Sequence, residues 1–119
     1  MDFKAALAEM LGEVDGAFGA GLVGTDGLVL DQVSLRPEFD ITVAGAEYAT
    51  VLRNARKASR GFGLSGAAEI MVSTEKAHVL MVPVGESFFA ALALAPDGNL
   101  GRGRIELKRQ AARFGQALV

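Results

Sequence analysis

Residues Ala67–Ala95 read AAEIMVSTEKAHVLMVPVGESFFAALALA, three apolar runs broken at Thr74-Glu75-Lys76 and at Gly85-Glu86. Gaps so short leave room only for hairpin turns, so the spacing predicts a three-stranded antiparallel meander. Strands that are apolar on both faces need cover from two sides, and helical patterns stand before and after them to supply it. Pro83 falls near a strand end, where a missing N–H is tolerated.

Working outward, Pro96-Asp97-Gly98-Asn99 is a turn into a last helix whose Leu100, Arg104, Leu107, Ala111, Phe114 and Leu118 share one face. Upstream, Asp40 is placed to cap a helix over Ile41–Arg60, where Ile41, Tyr48, Val51, Leu52, Ala55, Ser59 and Phe62 follow a 3.6 period. Gly61 and Gly63 stop it. Gly45, Ala46 and Ala49 lie beside that stripe, and small residues there suit the close approach of another helix. Before it, AFGAGLVGTDGLVLDQVS carries Asp26-Gly27 between two β-prone runs, the signal for a two-residue hairpin with positive φ at both turn positions. That register sets Thr25 opposite Leu28 and Val23 opposite Leu30, with Leu22 and Val29 on the other side of the sheet. Phe3, Leu7, Met10, Leu11 and Val14 make a short amphipathic first helix ended by Gly16. The order is α-ββ-α-βββ-α, an α+β chain read as one domain over 1–119.

Composition narrows the function. The chain has 119 residues, half of them hydrophobic, and a net charge of −2, which argues against a general nucleic-acid binder. Residues 1–59 hold nine acids and five bases, residues 60–119 five acids and seven bases. Cysteine is absent, removing disulfides, thiolate nucleophiles and thiolate metal sites. No apolar run reaches the roughly 20 residues of a membrane span. The N-terminal residues lack the basic-then-apolar layout of a secretory signal, and a cytoplasmic location fits. A mean hydropathy of +0.30 points to apolar surface that a partner subunit covers.

No catalytic constellation emerges, so no catalytic, metal or cofactor residue is assigned. Two glycine patterns, Gly19-Ala20-Gly21-Leu22-Val23-Gly24 and Gly61-Phe62-Gly63-Leu64-Ser65-Gly66, match a dinucleotide-binding expression. That motif must end a strand and open a helix. The first instead runs into a hairpin and the second leaves a helix, so close packing and a helix C-cap explain them. His78 is the single histidine, and nothing fixes Ser73, Ser87 or Glu75 around it as a set. The scattered carboxylates fall mostly in turns. Arg53, Arg56, Lys57 and Arg60 form a cationic stripe at the end of the long helix, either a solvated face complementing the helix dipole or a docking patch for an acidic protein. Arg102, Arg104, Lys108, Arg109 and Arg113 form a second basic group, read as a solvated face.

From about Leu7 to Phe114 the chain resembles the roadblock / dynein light-chain family. The segments that carry the likeness are GAFGAGLVGTDGLVLDQVS, EYATVLRNARKASRGFGLSGAAEIMVS, HVLMVPVGESFFAALALA and NLGRGRIELKRQAARF, by their order and spacing. It is most similar to short bacterial members that partner a Ras-like small GTPase. The resemblance implies a profilin-like fold, a five-stranded antiparallel sheet in order 2-1-5-4-3 with the long helix on one face and two terminal helices on the other. It implies a homodimer whose third strands pair edge to edge while the long helices meet. Glu69, Met71 and Ser73 on that strand, with Gly45, Ala46 and Ala49, are then the dimer residues. Arg53, Arg56, Lys57 and Arg60 are the residues for the GTPase, which a dimer can regulate by restraining its switch segments, without reactive groups of its own. Two rival readings remain open: a scaffold joining other roadblock-type subunits, and a small-molecule sensor with a cavity among Phe62, Met71, Met81, Phe88 and Phe89.

Overall fold

The computed structural model describes residues 1–66 and 68–118. The elements are α1 (Phe3–Glu13), β1 (Ala17–Gly24), β2 (Val29–Ser34), α2 (Ile41–Gly61), β3 (Ile70–Ser73), β4 (His78–Val84), β5 (Phe88–Leu94) and α3 (Leu100–Ala117). The strands form one antiparallel sheet in the order β2-β1-β5-β4-β3, as expected. Of the edge run read from the sequence, Ala67 lies outside the described residues, and the strand proper begins at Ile70.

Each helix starts on a side chain that meets an otherwise unpaired backbone N–H. Asp2 accepts from Ala5 at 3.0 Å, Asp40 from Thr42 at 2.9 Å and Asn99 from Arg102 at 3.1 Å. The long helix ends in a Schellman turn. Gly63 sits at φ +74 and donates to Arg60, while Leu64 donates to Ser59. The second glycine pattern is therefore a helix stop.

One face of the sheet carries α1 and α3 over a large core that includes Leu7, Met10, Leu22, Leu80, Leu92, Leu94, Leu107 and Phe114. The other carries α2 over a smaller one built on Val23, Leu52, Val79, Met81 and Phe89. All eight residues of β1 are buried, because it lies inside the sheet with helices on both sides. Its glycines hold the helix layer close: a Cβ at Gly19 would meet the Phe39 ring at 2.7 Å, and one at Gly21 would meet Ile41 Cδ1 at 2.6 Å. Packing, rather than phosphate, explains the first glycine pattern.

The first hairpin differs from its expected register. Gly24 pairs with Leu28 through an N–H···O bond of 2.8 Å, and Val23 faces Val29 across a bulge beside Leu22. Only Gly27 has positive φ (+92), whereas the expected turn needs it at Asp26 as well. The loop is thus three residues long, closed by an Asp26 carboxylate that accepts from Leu28 N–H at 3.0 Å. The extra residue turns Val29 to the same face as Val23.

Candidate interaction surface

The far edge of the sheet is β3, hydrogen-bonded on one side only. Thr74 N–H donates to Ala77 C=O, which fixes the alternation along the ladder. Residues 70 and 72 then bond inward to β4, and Met71 and Ser73 turn their backbone N–H and C=O to the open edge. The Met71 side chain is exposed, while Ile70 and Val72 pack toward the α2 core. Such an edge is a template for another strand.

Glu69 lies just before the strand, and its carboxylate is already engaged within the chain. Arg104 Nε reaches it at 2.6 Å and Lys108 Nζ at 2.9 Å. Lys108 foremost, with Arg104, lowers the Glu69 pKa from its ordinary value against the effect of desolvation. Ser73 Oγ lies 2.7 Å from His78 Nδ1, and His78 Nε2 lies 3.2 Å from the Pro96 carbonyl. A carbonyl only accepts, so Nε2 donates to it, while Nδ1 and the serine hydroxyl share the other hydrogen bond. With a backbone carbonyl in the orienting place, this pair fastens the sheet edge to the β5–α3 turn.

The small residues of α2 do different work from the one expected. Gly45 and Ala49 are buried against the chain's own sheet: a Cβ at Gly45 would meet Gly27 O at 3.2 Å and Val29 Cγ2 at 3.3 Å. Ala46 seats the hairpin, its Cα only 2.9 Å from where a Gly27 Cβ would stand. This flank of α2 faces β1 and β2. The opposite flank, toward β4 and β3, presents half-buried Ala44, Tyr48 and Ala55 beside exposed Val51. Gly45 and Ala49 face the sheet, and the half-buried Ala44 and Tyr48 stand one residue before them on the free flank.

The cationic stripe also divides. Arg56 is buried, and its guanidinium donates to the carbonyls of Gly85 (3.2 Å) and Glu86 (3.3 Å) in the β4–β5 turn. Arg53 donates to the Thr25 carbonyl in the β1–β2 turn and to Thr50 Oγ1 at 3.0 Å. Thr25 N–H in turn donates to Ser87 C=O at 2.9 Å, so the two turns and α2 are laced together at one end of the sheet. Arg60 approaches Glu86 at 3.8 Å with both side chains exposed, and Lys57 is exposed. Arg56 is therefore a strap, and the surface cations of the stripe are Arg53, Lys57 and Arg60.

The second basic group is engaged with polar side chains of its own chain. Arg102 meets Glu13 at 3.4 Å and Glu106 at 3.1 Å, Arg109 meets Glu106 at 2.8 Å, and Arg113 donates to Gln110 at 3.2 Å. The five residues named for a sensor cavity do not converge. Met81 and Phe89 belong to the α2 core, Phe88 packs on the other face, and Phe62 is 85% exposed. The space beneath α2, lined by Val23, Phe39, Ile41, Tyr48, Val79 and Phe89, amounts to about 10 Å³, the room of one water. Among the described residues, no group of three or more His, Asp or Glu side chains could hold a metal ion, and no helix is long and apolar enough to cross a membrane.

An open antiparallel sheet with β2 and β3 at its two edges, one long helix on one face and two terminal helices on the other, is a profilin-like arrangement. The Roadblock/LC7 domain model matches residues 4–93, and the chain belongs to that family. It is 37% identical over 104 residues to the uncharacterized protein MJ0714 of Methanocaldococcus jannaschii, covering 87% of this chain and 86% of that one. MglC from Myxococcus xanthus is 32% identical and superposes over the whole of both chains with a TM-score of 0.70. The gliding protein MglB from Thermus thermophilus superposes with a TM-score of 0.85 at 20% identity, covering 94% of this chain and 84% of that one, a likeness of fold.

Proposed function

We propose that this single-domain chain is a non-catalytic, cytoplasmic homodimer that binds a Ras-like small GTPase and regulates or positions it. The observation that carries the reading is the unpaired β3 edge beside a half-buried helix flank. Met71 and Ser73 offer strand bonds to a second β3, and Ala44, Tyr48, Val51 and Ala55 offer an apolar flank to a second α2. A two-fold across that edge extends one sheet to ten strands and sets the two long helices side by side, with the interface the same patch on both copies. Family membership supports a GTPase as the partner.

Arg53, Lys57 and Arg60 are the cations that this platform can turn to the GTPase; Arg56 is spent on the β4–β5 turn. Regulation then proceeds by holding the GTPase's mobile segments, with the GTPase's own groups stabilising transition-state charge. The test is to titrate the purified chain against Ras-like GTPases of its own genome, loaded with GDP or a GTP analogue, following affinity and single-turnover hydrolysis. Nucleotide-sensitive binding, weakened at least tenfold by Lys57→Glu with Arg60→Glu while the dimer persists, is expected. Nucleotide-blind capture, or affinity unchanged by the double reversal, contradicts it, the former in favour of a scaffold for other roadblock subunits.

A further inference from the structure

We propose that the α1/α3 face is a second self-association surface, on which two copies dock with each α1 lying antiparallel across the α3 of the partner subunit. This face is opposite to the one that carries α2, so the contact joins whatever units the β3 edge forms.

The charge of the chain is divided between these two helices. Helix α3 holds five of the twelve Lys and Arg residues and one of the fourteen acids, in a chain of net charge −2. Helix α1 holds Glu9 and Glu13, with Asp2 and Asp15 at its ends; its one cation, Lys4, is drawn aside to Asp31 at 3.7 Å. The helices lie side by side and antiparallel, since Phe3 meets Phe114 with ring centroids 5.5 Å apart and Glu13 meets Arg102 at 3.4 Å. A two-fold axis parallel to them, in the plane of contact, exchanges α1 for α3 while preserving position along the pair. Between the two fixed levels, Glu9 of one copy then falls opposite Lys108 and Arg109 of the other.

An apolar anchor sits at the same level. Ile105 is 62% exposed and is ringed on its helix by Arg102, Lys108 and Arg109. Facing it across the axis are the exposed Ala8 and Gly12, and a Cβ at Gly12 would meet nothing within 4 Å. A knob with a basic ring meets a shallow acidic trough, twice per pair. A lone isoleucine is too little to anchor a lipid surface. Glu69 and Glu106 also hold the cations at set positions, which a rigid partner can match and a fluid one does not require. At 1.5 Å per residue the two helices present a face of about 20 by 25 Å, hence roughly 1,000 Å² in total. The association is accordingly weak and sensitive to salt.

Sedimentation velocity over a wide concentration range tests it. At high concentration and low salt the wild type should weigh twice what Ile105→Asp weighs, whichever unit that variant forms, and about 0.5 M salt should abolish the difference. Arg109→Glu or Glu9→Arg alone should weaken the association at least tenfold, and the two together should restore it. All three positions are exposed, and thermal melts confirm the fold; Ile105→Ser replaces the aspartate if that variant melts early. Equal masses for wild type and Ile105 variants at every concentration, or a charge swap that fails to restore, overturn the proposal. So does co-sedimentation of the wild type with phosphatidylserine vesicles without any doubling of mass in their absence. A mass that doubles here while no GTPase binds leaves the proposal standing and removes only the function above.

Discussion

Leu80 and Met81 are neighbours on β4 that point to opposite faces of one sheet, and those faces are completed to different degrees. Leu80 enters a core covered by two helices, α1 and α3, whose own side chains interlock at Phe3 and Phe114. Met81 enters a core covered by one helix, held close by Gly21 and Gly45 and bordered by half-buried Tyr48, Ile70, Val72 and Ala77. The first face is finished within a single chain. The second runs out to the β3 edge with apolar surface still uncovered, which is where a second copy has something to bury.

The largest expected effect tests that contrast directly. Leu80→Ala should cost about 3–5 kcal/mol, the range for a fully buried side chain in a rigid setting. Met81→Ala should cost less, about 2–3 kcal/mol, because the thinner layer above it can settle into the gap. Denaturant melts at matched concentration compare them, and equal losses would erase the distinction between the faces. A smaller loss, about 1–3 kcal/mol, is expected for Arg56→Met, which keeps the buried stem and removes two charge-assisted bonds to the β4–β5 turn. Amide exchange should quicken at Gly85–Ser87 in that variant. Protection unchanged there would deny the strap.

Much of this was legible in the residues. The meander, the α2 cap at Asp40, the stop at Gly63 and the strand order followed from short gaps, capping chemistry and the family resemblance. The hairpin register was not, because Asp26-Gly27 serves a two-residue loop and a three-residue loop equally well, and only the φ at Asp26 separates them. The interaction residues were less legible still. Gly45 and Ala49 have the small size that either a sheet or a helix neighbour demands, and a wheel cannot say which neighbour is present. Arg56 looks like its exposed neighbours until the turn carbonyls of Gly85 and Glu86, about 30 positions later, are brought beneath it. One signal was available: Arg56 lies one turn from Leu52 on the buried side of the helix, in line with Ile41, Gly45 and Ala49.

The smallest expected effect concerns the cross-link between the sheet edge and α3. Glu69 is held below its ordinary carboxylate pKa by Lys108 and Arg104, so the folded state favours the charged form. Its contribution, about 0.5 kcal/mol for so accessible a pair, is present above the unfolded value near 4.5 and fades as pH falls through the lower folded value. The stability gap between wild type and Glu69→Gln should therefore be constant at neutral pH and close below about pH 4. A gap that persists at pH 2 would assign the effect to packing instead.

The pairing of two copies along β3 is the claim on which the functional reading stands. Met71→Pro removes an N–H that points to the open edge and leaves the β3–β4 ladder whole. Sedimentation equilibrium in about 0.5 M salt, where charge-driven contacts are screened, compares that variant with the wild type. The expected result is a wild type at twice the 12.4 kDa of one chain and a folded Met71→Pro variant at a single chain's mass. A wild type that stays at one chain's mass at high concentration, or a dimer indifferent to the proline, would contradict it.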